Sequence, residues 1–387
     1  MKVFIFDLLA YGENLDHIKQ GTELPYPLSQ KHFKADVAAR TYAEHLEAWE
    51  ALDRLGYDGV GFNEHHCSPY GLMNSPNLMA SAAAQRTKKL KLLIYGNLLP
   101  LHEPLRLAEE LAMLDCLSNG RIISGFARGI PREYQVHNVP LSQSRERFEE
   151  AYEIVTRAWT EDVFSYSGKY WSYKDVALWP RPLQKPHPPI MIPIVGSQES
   201  IEFAGRHNIG ITPGLAGGGL RDDIIRHYAK SLKAAGHRIT PDHLSLALNA
   251  YVADSKAQAV REVAPYHLYF NRTLFSHGNF TETAKQRQAG HLFDFHVRRA
   301  RHGLDELPRR AGPLAQEVEV RPEDLHGEVR AHARDHLVHA HLDRLSEHHA
   351  HAGQRREPRP LHRPPQARRS SPCPACLGTG CAGSSVT

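Results

Sequence analysis

The chain has 387 residues, 41% hydrophobic and 23% charged, with a formal net charge of +4; that balance suits a soluble α/β protein of one large or two smaller domains and asks for no nucleic-acid partner. No run approaches the ~20 apolar residues of a membrane span, and the start MKVFIFDLLAYG carries Asp7 and lacks the basic flank and cleavage site of a signal peptide. Cys67 and Cys116 stand apart while Cys373, Cys376 and Cys381 crowd together, which is no disulfide framework, so a cytoplasmic location is expected.

Short apolar runs alternate with amphipathic helical stretches, the pattern of a parallel sheet with crossover helices. Val3 to Leu9 reads as a first strand, followed by a long polar segment from Tyr11 to Lys34; a loop that long inside a domain is functional or disordered. Tyr42, Leu46, Trp49 and Leu52 share one helical face, and Gly56 stands where a C-terminal cap belongs. Tyr57 to Phe62 is the second strand and Leu90 to Leu99 the third. Pro104 opens a helix whose leucine stripe ends at Gly120. Arg121 to Phe126 is the fourth strand, and Phe148, Tyr152, Val155 and Trp159 repeat the helical spacing after it. The stretch from Thr160 to Pro189 reads as a hairpin excursion with a Pro-rich exit. Ile190 to Val195 is the fifth strand, Ile209 to Thr212 the sixth and Leu244 to Ala253 the seventh; an eighth is not evident.

A βα series of this count predicts an α/β fold of the (β/α)8 TIM-type barrel, with the last βα unit missing or aberrant, because no Gly-rich dinucleotide fingerprint follows the first strand. Residues 1–285 form the expected barrel domain and 286–387 a low-complexity tail. From His296 onward there is no Phe, Tyr, Trp, Ile, Met, Lys or Asn, so this part has little to pack. It reads either as GC-rich sequence translated out of frame or as a natural disordered tail. Its Cys373-Pro-Ala-Cys376 lacks the second spaced pair of a zinc ribbon.

Barrel active sites lie past the C-terminal ends of the strands. The second strand ends in Asn63-Glu64-His65-His66, the third in Gly96-Asn97, the fourth in Ala127-Arg128-Gly129 and the fifth in Gly196-Ser197-Gln198-Glu199-Ser200. Successive residues of an extended strand point to opposite faces, which disfavours a metal at Glu64-His65-His66. A histidine there suits acid–base work near neutrality, or simply fills a polar site beneath a loop. Arg128 could meet an anion or pair with a neighbouring loop. Ser197 caps the helix from Glu199 to Arg206, and the free N–H groups there, with Ser200, also make an anion site. Cation and helix terminus come from adjacent strands, so one phosphate could sit between them, that of a mononucleotide cofactor being the natural candidate.

The blocks GYDGVGFNEHH, LLPLHEPLRLAEELAMLDCLSNGRIISGFARGIPREY, SRERFEEAYEIVTRAW and IVGSQESIEFAGRHNIG, in that order, resemble the bacterial-luciferase-like monooxygenases over residues 1 to about 285. The resemblance implies a (β/α)8 barrel, most often a homodimer, that uses O2 and reduced FMN from a separate NAD(P)H-dependent flavin reductase to oxygenate a small organic substrate. It implies that His65 is the catalytic histidine and Arg128 the phosphate-binding arginine. Gly196, Ser197 and Ser200 then form the phosphate loop, while Gly96 and Asn97 lie against the isoalloxazine. Ala127 stands where luciferases proper have a reactive cysteine, so light emission does not follow. Tyr11, Tyr70 and the loop from Gly12 to Lys34 are candidate pocket or lid elements. The rival expectations are a deazaflavin-dependent oxidoreductase on the same barrel and a degenerate, non-catalytic flavin-binding barrel.

Overall fold

The computed structural model describes residues 2–21, 23–213, 218–275 and 277; the expected tail of 286–387 lies outside the described residues. Its parallel sheet consists of β1 (Phe4–Asp7), β2 (Gly59–Phe62), β3 (Lys91–Leu98), β4 (Ile122–Ala127), β7 (Ile190–Ile194) and β8 (Gly210–Pro213), hydrogen-bonded in that order. A separate antiparallel hairpin, β5 (Phe164–Ser167) with β6 (Ser172–Val176), interrupts the series where the Pro-rich excursion was expected.

The helices follow the apolar stripes. α1 (Ala35–Leu55) buries Val37, Ala38, Trp49 and Leu52 and stops at Gly56, whose φ of 81° no β-carbon opposes. α2 (Pro76–Arg86) starts from Ser75, whose hydroxyl accepts from Leu78 N. α3 (Pro104–Leu117) begins with its proline in the first turn, where no N–H is missed. α5 (Ser144–Thr160) packs Phe148, Tyr152, Val155 and Trp159 inward, and α6 (Gln198–Arg206) and α7 (Gly218–Ala234) follow β7 and β8. These stripes meet the sheet in one apolar cluster that includes Trp49, Phe62, Ile94, Leu111, Phe126 and Trp159, each 1% exposed or less. Burial on that scale contributes about 1.5–3 kcal/mol per large side chain.

The opposite ends of the strands are fastened by backbone-directed charges. Asp53 accepts from the N–H groups of Lys88, Lys89 and Leu90 at 2.7–2.9 Å, and Arg121 donates to the carbonyls of Leu90, Ala84 and Ser118. Such groups hold the register of β2, β3 and β4, and so fix where the strand ends stand.

Two expectations need correction. The segment Leu244 to Ala253 is not a seventh strand: Leu244 forms one parallel bridge with Ile211, Ser245 N donates to the Ile211 carbonyl at 3.0 Å, and pairing stops there. Its alternation is real, but Leu246, Leu248 and Val252 are 52%, 69% and 78% exposed; a period of two makes a strand only where a face exists to cover it. Among the described residues the sheet is therefore a six-stranded half-barrel rather than a closed (β/α)8 barrel.

The long loop after β1 is ordered by its own small core. Tyr11, Leu15 and Leu24 pack with Val37, Tyr70 and Leu274, and Leu15 N and the Glu13 carbonyl both bond the Tyr269 hydroxyl, at 2.9 and 3.1 Å, from α8 (Lys256–Tyr269).

Candidate functional site

Because all neighbouring pairs in the main sheet are parallel, every strand delivers its C-terminal residue to one rim. Alternation then sorts what β2 delivers. Glu64 and His66 turn to one side, where His66 Nε2 lies 2.9 Å from Glu64 Oε1. His65, between them, turns to the other.

Glu64 is 2% exposed. His102 Nε2 contacts both its oxygens at 2.9 Å, and Leu98 N donates at 3.1 Å. Burial alone raises such a carboxyl, but the hydrogen bonds from His102 and His66 outweigh it and hold the pKa down to about 2. For His102 burial is likewise opposed, and overcome, by Glu64, so its pKa is raised. The cluster ties the end of β2 to the end of β3.

On the other side His65 Nδ1 lies 2.9 Å from Glu133 Oε1. Glu133, 1% exposed, belongs to the short helix α4 (Pro131–Val136), and its second oxygen accepts from Ile130 N at 2.8 Å. A carboxylate oxygen accepts, so His65 Nδ1 carries the hydrogen and the tautomer is set, leaving Nε2 for other work. The His65 ring also packs edge-on against Tyr70, with centroids 4.6 Å apart. Next along α4, Tyr134 donates its hydroxyl to the carbonyl of Arg128. His65 and Arg128 are thus joined through one helical turn.

Arg128 is half-buried past the end of β4, its Nη1 3.4 Å from Ser144 Oγ. Burial, and then the charge of Arg145, push its pKa down: two guanidinium groups are held near one another. Arg145 Nη2 donates to both Ser197 Oγ and Ser200 Oγ at 3.0 Å. Ser197 caps α6 and accepts from Ser200 N at 3.4 Å, and its hydroxyl also donates to Glu199 at 2.8 Å. Gly196, with φ 135°, has open space where a β-carbon would stand. Two cations, two hydroxyls and a helix N-terminus gathered in this way are groups that can hold an anion.

Gly96 and Asn97 close the third side. The register of β3 against β4 shifts between Ile94 and Asn97, and the Tyr95–Gly96 peptide is cis. The side-chain oxygens of Asn97 and Asn63 are buried without a hydrogen-bond partner among the described residues; such atoms are acceptors that a bound molecule can satisfy.

The expected residues Gly96, Asn97, Arg128, Gly196, Ser197, Ser200 and His65 therefore share one rim. Sequence reasoning missed Arg145 and Glu133. Arg145 also forms an i,i+4 pair with Glu149 at 3.6 Å, so in the sequence it reads as a solvated helix face; its place in the first turn of α5 was the available signal. Glu133 had none beyond following Arg128 closely. Among the described residues no cluster of three or more His, Cys, Asp or Glu side chains is arranged to hold a metal, and no helix is long and apolar enough to cross a membrane. A cleft of about 420 Å3 between α5 and α6 is lined by Glu153, Thr156 and Arg206 among others; it belongs to the helical layer, not to the strand ends.

Known proteins resemble this chain in sequence and in fold. An uncharacterised protein, y4wF, of Sinorhizobium fredii is 43% identical over 174 residues, 45% of this chain, which spans only 51% of that relative's length. The oxygenase component of flavin-dependent trigonelline monooxygenase from Acinetobacter baylyi is 27% identical over 265 residues, covering 65% of this chain and 73% of the relative. The crystal structure of monooxygenase RslO1 from Streptomyces bottropensis superposes with a TM-score of 0.61 at 27% identity, over 78% of this chain and 89% of that one. An F420-dependent secondary alcohol dehydrogenase, 18% identical with a TM-score of 0.50 over 58% of this chain and 69% of its own, shares the fold. The profile of the family described as luciferase-like monooxygenase matches residues 23–370, past the change of composition near 285. By that match the chain belongs to the luciferase-like monooxygenase family.

Proposed function

We propose that this chain is a flavin-dependent monooxygenase that uses reduced FMN and O2 to oxygenate a small organic substrate, the reduced flavin coming from a separate NAD(P)H-dependent reductase. The observation that carries this reading is the meeting, on one rim, of the Arg128–Arg145–Ser197–Ser200 anion site and an imidazole of fixed tautomer. The Acinetobacter relative is by its name one component of a system, which supports a reductase as partner.

The residues fit the cofactor. Arg128 and Arg145 repel each other until an anion lies between them, and the two hydroxyls with the α6 terminus complete a phosphate cradle. The unsatisfied amide oxygens of Asn63 and Asn97 offer acceptors for a ring N–H. Reduced FMN, when bound, supplies the two electrons that place one oxygen atom of O2 on the substrate and release the other as water. His65, held through Nδ1 by Glu133, takes up and returns a proton at Nε2. Glu133 keeps that ring in place from a buried position.

Arg145→Ala should weaken FMN binding by about 10- to 100-fold, the worth of a charge-assisted contact, read by quenching of flavin fluorescence. His65→Ala should leave FMN binding intact and lower reductase-coupled product formation by about 100-fold or more. Tighter binding of F420 than of FMN would replace the proposal with a deazaflavin-dependent oxidoreductase. FMN binding with no oxygenated product from a substrate panel would leave a non-catalytic flavin binder.

A further inference from the structure

A second pocket, of about 250 Å3, lies between the loop after β1 and the start of α4, walled by Leu24, Pro25, Tyr26, Arg132 and His277. Gln20 and Glu23 stand exposed at its margin. Arg132 stacks on Tyr26, the guanidinium carbon 3.4 Å from the ring centroid. Stacking occupies a face of the planar group and leaves its N–H edges free. Arg132 Nε is buried with no acceptor, and among the described residues the side chain makes no hydrogen bond or ion pair. A buried donor left that way costs about 1–3 kcal/mol, so an acceptor entering the pocket is strongly favoured.

The opposite wall is built to stay in place. His277, 3% exposed, lies with Nε2 3.2 Å from the Pro25 carbonyl and Nδ1 2.9 Å from Ser68 Oγ. A carbonyl only accepts, so Nε2 carries the hydrogen and Nδ1 accepts from Ser68. Burial also pushes the pKa of His277 down, and Arg132 is left to carry the pocket's positive charge near neutrality. Ser68 Oγ accepts in turn from Tyr70 N at 3.2 Å, and the Tyr70 ring packs on His65. On the other side Arg132 directly precedes Glu133, the partner of His65. Both walls of the pocket therefore lead to the imidazole, and neither is part of the phosphate cradle.

Resting on the monooxygenase reading, we infer that the substrate is a small carboxylate, its anionic end gripped by the in-plane edge of Arg132 and its apolar body lying along Leu24, Pro25 and Tyr26. A planar fork of donors matches a carboxylate, and the volume, a little under that of ordinary ligand pockets, admits about one ring.

The test is titration calorimetry of the flavin-free full chain with sodium benzoate and with benzamide, which share a shape and differ in charge. Benzoate should bind at least about tenfold more tightly. Arg132→Gln should abolish the preference and Arg132→Lys restore part of it, both with wild-type FMN affinity. Absent benzoate binding, equal affinity for benzamide, or a preference that survives Arg132→Gln, as binding to the Arg128–Arg145 cradle would, overturns the assignment. The two proposals fail separately: FMN binding with product formation but no benzoate preference sinks only this one. A benzoate preference in a chain that takes no flavin sinks the monooxygenase.

Discussion

Glu64, at the end of β2, is a charged group sealed from solvent, whereas Leu246, Leu248 and Val252, beside β8, are apolar groups left in it. Hydrophobicity alone would have placed them the other way round. The difference lies in what each meets. Glu64 finds two imidazoles and a backbone N–H, enough donors to replace water. Leu246, Leu248 and Val252 run past the sheet after a single bridge at Leu244, and among the described residues no face is turned toward them. Burial thus depends on the partner more than on the side chain.

The largest way to break this contrast is Glu64→Ala, which strands His66, His102 and the Leu98 N–H. Removing one member of a buried charged cluster typically costs about 3–5 kcal/mol, and urea unfolding should register that loss; a change under about 1 kcal/mol would make the cluster incidental. Acid offers a gentler route to the same end. The folded pKa of Glu64 is depressed from 4.5 to about 2, so its contribution is whole above pH 4.5 and drains away as the pH falls toward 2, about 3 kcal/mol in all. His102 has the opposite sign: raised above 6.5, its share is complete below that pH and is lost as the pH climbs through the raised value. Urea midpoints should form a plateau between these limits, and the gap between wild type and Glu64→Ala should close at low pH. The smallest effect is expected on the exposed side. Leu248→Lys should change stability by no more than about 0.5 kcal/mol, and a drop of 2 kcal/mol in the same unfolding assay would mean that a neighbour covers this leucine in solution.

The same dependence on partners explains what could be read in advance. Strands such as Ile190–Ile194 and the α5 stripe were legible because their own residues state what they bury. That His65, Arg128, Ser197 and Ser200 share a rim was legible because parallel strands send their C-terminal ends to one side. Leu244 to Ala253 misled because alternation describes a strand's two faces but not whether a neighbour exists. Arg145, Glu133 and Arg132 stand out little for the converse reason: each is a charged residue in a helix, an ordinary solvent-facing choice until the fold brings Ser197, His65 or Tyr26 against it.

The close approach of β3 and β4 has its own consequence. A β-carbon added at Gly125 would lie 2.0 Å from the Ile94 carbonyl oxygen, and one added at Gly96 would lie 2.8 Å from that of Gly125. Main chain abuts main chain here, with no pliable side chain to give way. Alanine at either glycine must wedge the strands apart, tilting Asn97 on one side and Arg128 on the other, so damage to the floor of the mouth would surface as misaligned recognition at both of its walls.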